Sequence, residues 1–144
     1  MKVNYSLNRK IQISDLYNKI KVIAVKFVEE EEAKIIASLI VKSEKMGVSS
    51  HGLHYFIHSV YPLLKQGYEK FKVEQKGSMI YSYGSGGVGF NNLVNCLELA
   101  SIQSKNTGIS LVSIKNPGKV GALRVYCSDS VSYTHLTLPT NREV

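Results

Sequence analysis

Four glycines in six residues, Gly84-Ser85-Gly86-Gly87-Val88-Gly89, stand between two segments of different periodicity. Before them, Val73 to Tyr83 is strand-like, with a turn at Lys76-Gly77-Ser78 and alternation through Met79-Ile80-Tyr81-Ser82-Tyr83. After them, Phe90, Leu93, Val94, Leu97 and Ala100 recur at helical spacing as far as Lys105. A period-two segment that feeds a 3.6-period segment through glycines lays a helix close against a strand. A turn of this kind at a helix N-terminus can also hold a phosphate. The spacing is not that of a P-loop, since no G-K-[ST] is present. Gly84, Gly86 and Gly89 fall at the G-x-G-x-x-G offsets, but the match is not clean, since no acidic residue stands about 20 residues on at a strand end, as a dinucleotide-binding Rossmann unit requires. Taken alone, the loop reads as a tight strand-to-helix turn.

Asn106-Thr107-Gly108 ends that helix. Ile109 to Ile114 reads as a buried strand, Asn116-Pro117-Gly118 as a turn, and a further helix is expected from near Lys119 through Tyr126. Upstream the pattern is helical. Residues 1–13 read as an extended lead-in, and Ser14 as an N-cap with Asp15 in the first turn. Leu16, Ile20, Ile23, Ala24 and Phe27 give one apolar face. The acidic run Glu29 to Glu32 suits the first turn of a second helix, where negative charge is favoured. That helix runs through Ile35, Ile36, Leu39 and Ile40 to Met46, and Gly47 stops it. A third extends from Leu53 to Gln66, with Pro62 predicting a kink and Gly67 closing it. The expected fold is α+β: an N-terminal helical segment over 1–67, then part of a mixed β-sheet with packed helices over 68–130, not a Rossmann fold.

Composition narrows the function. The chain has 144 residues, is 44% hydrophobic and 20% charged, and carries a net charge of +7. No run approaches the roughly 20 apolar residues of a membrane span, and no apolar signal segment follows Met1-Lys2-Val3-Asn4-Tyr5, so a membrane role is not expected. Cys96 and Cys127 form no CxxC pair, and a reducing cytoplasm is the default. The basic residues are scattered rather than packed in a run with interleaved aromatics, so nucleic-acid binding is not expected. The positive charge suits a small anionic substrate or cofactor phosphates instead.

The chemistry-bearing stretch is Lys45-Met46-Gly47-Val48-Ser49-Ser50-His51-Gly52. It sets two hydroxyls and an imidazole between glycines, and histidine is the side chain best placed to move a proton near neutral pH. The plainer alternative is a helix–helix loop with a capping serine and a solvated histidine. His51, His54 and His58 fall at helix-like offsets, but no carboxylate or thiolate is placed to complete a shell, so no metal is expected. Residues 131–144, Val-Ser-Tyr-Thr-His-Leu-Thr-Leu-Pro-Thr-Asn-Arg-Glu-Val, change character abruptly. They read as a non-native tail resembling translated sequencing-adapter DNA, which would make the chain a truncated fragment.

Three pieces occur in order: Gly47-Val48-Ser49-Ser50-His51-Gly52, Gly84-Ser85-Gly86-Gly87-Val88-Gly89, and the stretch from Thr107 to Ala122 that includes Asn116-Pro117-Gly118-Lys119-Val120-Gly121-Ala122. Together they resemble the type 2 malate/L-lactate dehydrogenase family, which also contains ureidoglycolate and sulfolactate dehydrogenases. The similarity covers about residues 12 to 130, roughly the N-terminal third of a full-length member. The resemblance implies an oxidoreductase using NAD or NADP on a small anionic 2-hydroxy or 2-oxo acid, with a homodimeric full-length form. It places His51 as proton donor or acceptor and Ser50 beside it, both in contact with substrate. It places Lys119, Val120, Gly121 and Ala122 on the loop that meets the cofactor and active site.

Two positions depart from the family. Lys119 stands where a histidine is usual, and would contact a cofactor phosphate or, if desolvated, act as an acid. Tyr55 stands where many members have an arginine suited to a substrate carboxylate. These departures leave open an alternative, a non-catalytic family member that binds an anionic ligand.

Overall fold

The computed structural model describes residues 10–129; the expectations for residues 1–9 and for the tail at 131–144 lie outside the described residues. The chain begins with a helical hairpin, α1 (Ile13–Ala24) and α2 (Glu30–Lys45). α1 starts one residue before the expected cap. Gln12 occupies the N-cap in an extended conformation without a side-chain bond, and Ser14 lies inside the first turn with Asp15. Phe27 falls beyond the end of α1 and is 40% exposed, edge-on to Tyr61. The acidic run opens α2 as expected, with Glu30, Glu31 and Glu32 in its first turn. Lys21 pairs with Glu30 at 3.0 Å, tying the two helices across their loop. Ala24, Ala33 and Ala37 are fully buried between them, and such small side chains allow close approach.

The third helical segment is broken into registers. A 3₁₀ turn (Ser49–His51) leads into α3 (Leu53–Tyr55), a π-helical turn (Phe56–Val60) and α4 (Tyr61–Gln66). Pro62 lies in the first turn of α4, where its missing N–H is tolerated. The expected irregularity is thus a π turn just upstream of the proline. Gly67 ends the segment at φ +76°.

A mixed sheet of three strands follows, in the order β1 (Lys72–Lys76), β2 (Met79–Tyr83), β3 (Leu111–Lys115). β1 and β2 form an antiparallel hairpin, with Lys76 opposite Met79 and Gly77 at φ +58° in the turn. β2 and β3 run parallel, with Ile80 opposite Val112 and Ser82 opposite Ile114. Parallel neighbours need a crossover, and the chain between them contains α5 (Phe90–Thr107), capped by Gly108 in the left-handed region. β3 corrects the expectation of a buried strand: Leu111 is 56% exposed and Ile109, just before it, 72%. Burial alternates along β3, with Leu111, Ser113 and Lys115 exposed and Val112 and Ile114 partly covered, so among the described residues only one face of the run is enclosed. The last helix, α6 (Leu123–Asp129), starts four residues later than expected, because Lys119 still pairs with Val88 in an isolated parallel bridge.

One hydrophobic cluster joins the helical and sheet parts. Ile20, Ile36, Ile40, Phe56, Val60 and Phe90 are all at most 2% exposed and belong to it, with Val88 and Tyr126. The core therefore draws on both sides of the Ser-His stretch and on the C-terminal end of the glycine loop.

Candidate active site

The Ser-His stretch is anchored at its beginning by Gly47. This residue takes φ +71°, and its N–H donates to the Glu44 carbonyl while Val48 N–H reaches the Ser43 carbonyl, ending α2 in a tight turn. Ser50 and His51 follow in the 3₁₀ turn. The Ser50 hydroxyl oxygen lies 3.0 Å from His51 Nδ1. With the hydroxyl donating to Nδ1, the proton of a neutral ring sits on Nε2. Ser50 is exposed and His51 half-buried, so the pair faces accessible space. Leu53 N–H donates to the Glu44 carboxylate at 2.6 Å, and that carboxylate fills the space a Cβ on Gly52 would need.

Tyr55 links this segment to the later loop. Its ring lies 5.1 Å from the His51 ring and 6.5 Å from the Phe90 ring, centroid to centroid. Burial raises the pKa of its hydroxyl, while the Gly121 backbone N–H, donating to the oxygen, pulls the other way. Gly121 is at φ +74°, and a Cβ there would strike the Phe90 ring at 2.7 Å. Tyr126 holds the same loop from behind by donating its hydroxyl to the Val120 carbonyl at 2.6 Å. The structure therefore brings Ser50, His51 and Tyr55 together with the Val120–Gly121 backbone. The Lys119 side chain is exposed.

The glycine loop acts as a structural clasp. Gly84 N–H donates to the Lys115 carbonyl at 2.9 Å, Gly86 N–H to Asn116 at 3.2 Å and Gly89 N–H to Lys119 at 2.7 Å. Lys119 N–H returns a bond to the Gly87 carbonyl at 2.8 Å. Three of the loop's amides are thus occupied by backbone carbonyls, which fits the tight-turn reading and leaves those amides unavailable to a phosphate. The clasp extends the β2–β3 pairing and sets where Lys119 to Ala122 begin.

A cleft of about 150 Å³ opens elsewhere, lined by Glu29, Glu32, Tyr68, Asn92 and Pro117 among others; neither Ser50 nor His51 lines it. His54 and His58 rest against each other at 4.4 Å, and among the described residues no group of three His, Cys, Asp or Glu could hold a metal. Residue reading alone missed Glu44, Phe90 and Tyr126. Glu44 left one signal, a carboxylate in the last turn of a helix, where the dipole disfavours it.

Two tests of this architecture arise directly. Removing the Tyr126 hydroxyl (Tyr126→Phe) leaves the Val120 carbonyl without its donor. This should cost about 1–2 kcal/mol in denaturant unfolding and speed amide exchange across Lys119–Ala122. Alkaline pH should also destabilise the chain. Tyr68 and Tyr126 both have pKa values raised well above the ordinary 10.0, chiefly by burial, with the Glu32 carboxylate adding to Tyr68 and Tyr55 to Tyr126. Above pH 10 the unfolded chain loses phenolic protons that the folded chain keeps. Stability is therefore fully present below that pH and falls as pH rises, by up to about 1.4 kcal/mol per unit for the buried Tyr126 and by less for the partly exposed, solvent-screened Tyr68. Thermal melts from pH 8 to 11.5 measure it; a flat midpoint above pH 10 would contradict these placements.

The malate/L-lactate dehydrogenase family profile matches residues 11–133. Malate dehydrogenase of Pyrococcus abyssi is 28% identical over 102 residues, which are 67% of this chain and 28% of that protein. The structure of malate dehydrogenase from Pyrococcus horikoshii superposes with a TM-score of 0.78 at 26% identity, covering 92% of this chain and 40% of the other. Sulfolactate dehydrogenase from Methanocaldococcus jannaschii gives 0.77 at 26% identity, covering 85% and 37%. The chain spans less than a third of the length of the curated relatives it matches. With a profile match across most of its length and two solved structures of the same fold, the chain belongs to the malate/L-lactate dehydrogenase family.

Proposed function

We propose that this chain is the N-terminal part of an NAD- or NADP-dependent dehydrogenase acting on a small anionic 2-hydroxy or 2-oxo acid. The observation that carries the proposal is the Ser50–His51 pair, 3.0 Å apart and joined through Tyr55 to the backbone of Gly121. For the reaction the ring takes the other tautomer, with Nδ1–H donating to the Ser50 oxygen: neutral His51 accepts the proton of the substrate oxygen at Nε2, and the imidazolium donates it back. Tyr55, beside His51, forms a wall of the substrate site.

The nicotinamide, when bound, supplies or takes the hydride. The loop Lys119, Val120, Gly121 and Ala122 fits such a cofactor in part. The Val120 carbonyl is taken by the Tyr126 hydroxyl, and Lys119 is the charged group of the loop left to meet a phosphate. Its exposure supports that contact over a role as a desolvated acid. Cys96 and Cys127, the two cysteines of the sequence, have no CxxC spacing, which suits the proposed cytoplasmic setting, and the full-length form is proposed to be a homodimer.

The test is to read the gene from source DNA through and past Ser130, express the protein its frame gives, and follow nicotinamide absorbance with malate, lactate and related acids. Substrate-dependent turnover is expected from a longer protein, and little or none from the 144-residue chain. No turnover with any small 2-hydroxy or 2-oxo acid, alongside saturable binding of such acids, would replace this function with the non-catalytic anion-binding one.

A further inference from the structure

We infer that Glu44 is a positioning residue for the Ser50–His51 pair, acting as a long-range cap that fixes the segment carrying it. The inference rests on the site proposed above, and its first readout requires no enzymatic activity.

Glu44 sits in the last turn of α2, where a negative charge opposes the helix dipole. Lys42 and Lys45 share that turn, while the ion pairs of Lys21 and Lys34 go to Glu30 and Glu31 at the other end of α2. The Glu44 carboxylate crosses the turn and accepts the Leu53 N–H at 2.6 Å, nine residues along the chain. That N–H opens α3, whose N-cap residue, Gly52, has no side chain with which to cap it. A carboxylate at a helix N-terminus is both a charge-assisted acceptor and a favourable charge for the dipole. The carboxylate is thus moved from the wrong end of one helix to the right end of the next.

Gly52 is the other half of the device. A Cβ there would overlap the Glu44 carboxylate, and Gly52 is buried with φ −91°, so the vacant space rather than a left-handed backbone demands glycine. The turn is therefore pinned at both ends. Gly47 and Val48 close on the carbonyls of Glu44 and Ser43, and Leu53 closes on the Glu44 side chain. Ser50 and His51 lie between the two pins, with Tyr55 in the turn that Leu53 opens. Fixing both pins fixes the direction in which the imidazole leaves the backbone, which is the condition for its ring to hold Ser50 at one nitrogen and meet substrate at the other.

The experiment compares the 144-residue chain with Glu44→Gln, Glu44→Ala and Gly52→Ala. Nitrogen-15 shifts of the His51 ring report tautomer and partner, and hydrogen exchange reports the Leu53 amide. Glu44→Gln keeps an acceptor and should leave the His51 ring shifts near those of the parent. Glu44→Ala should speed Leu53 exchange tenfold or more and average the two His51 tautomers. Gly52→Ala should reproduce that result by displacing the carboxylate, and the double variant should add little to either single one.

Should the Glu44→Ala chain unfold, Gly52→Ala and Glu44→Gln carry the comparison, with opposite results expected from the two. His51 shifts unchanged in a folded Glu44→Ala or Gly52→Ala chain would overturn the inference. In an active longer protein, Glu44→Ala should lower kcat about tenfold or more while leaving the cofactor KM unchanged, and Glu44→Gln should restore most of it. Loss of the His51 signature without any parent activity would instead retain Glu44 as the positioning residue and reject the dehydrogenase function.

Discussion

Replacing His51 by alanine in the active longer protein is expected to lower kcat by about 10²–10⁴-fold, the usual contribution of a positioned general acid–base group. The half-buried ring, the Ser50 hydroxyl 3.0 Å from Nδ1 and the flanking Tyr55 ring support that proposed role. Stability should change little, because the side chain fills no part of the buried cluster. The Ser50→Ala variant should lose less, since the ring remains present and only its orientation is released. Steady-state kinetics with a small 2-hydroxy acid, together with thermal midpoints, separate the two effects. A His51→Ala enzyme with parental kcat would remove His51 from the chemistry.

The largest structural effect is expected from Gly118→Ala. Gly118 is at φ +70°, and an added Cβ would run into the Gly87 carbonyl, a backbone atom that cannot rotate aside. The same carbonyl accepts the Lys119 N–H at 2.8 Å, so moving it opens the clasp between the glycine loop and Lys119. A strained left-handed alanine costs of order 1–3 kcal/mol, and overpacking adds about 1–3 more. A total loss of roughly 2–6 kcal/mol follows, a large fraction of the stability of a domain this size. Gly108→Ala makes a useful contrast. Gly108 is also left-handed, at φ +79°, but nothing lies within 4 Å of its added Cβ, so it should lose only the strain part. Denaturant unfolding of the two variants compares them; equal losses would show that the close approach of Gly118 to Gly87 carries no weight.

The helices were legible because their signals are local. Glu30 to Glu32 opened α2, glycines 47, 67 and 108 closed their helices, and Ile20, Ile36, Ile40 and Phe90 fell on the inward faces their spacing predicted. The errors came where a tertiary neighbour decides. β3 has the composition of an enclosed strand, yet Leu111 is exposed because it lies on the face that no described element covers, together with Ser113 and Lys115. α6 starts late because Val88 holds Lys119 in an extended bridge, a contact 31 positions away that no window of sequence reports. Pro62 signalled an irregular helix correctly, but not that a π turn would place it at an ordinary N-terminal position. The Ser50–His51 pair was legible because it is contiguous. Its connection through Tyr55 to Gly121 was not, since it depends on how two segments 66 residues apart meet over Phe90.

The central claim is that the Ser50–His51 turn and the Lys119–Ala122 loop serve one reaction, the first at the substrate and the second at the cofactor. The most direct measurement is the kinetic profile of Lys119→Ala beside that of His51→Ala in the active longer protein. Loss of a charged phosphate contact should raise the cofactor KM about ten- to a hundredfold with kcat nearly kept. His51→Ala should do the reverse, lowering kcat with the cofactor KM nearly kept. A Lys119→Ala enzyme with an unchanged cofactor KM, together with a His51→Ala enzyme of unchanged kcat, would contradict the account.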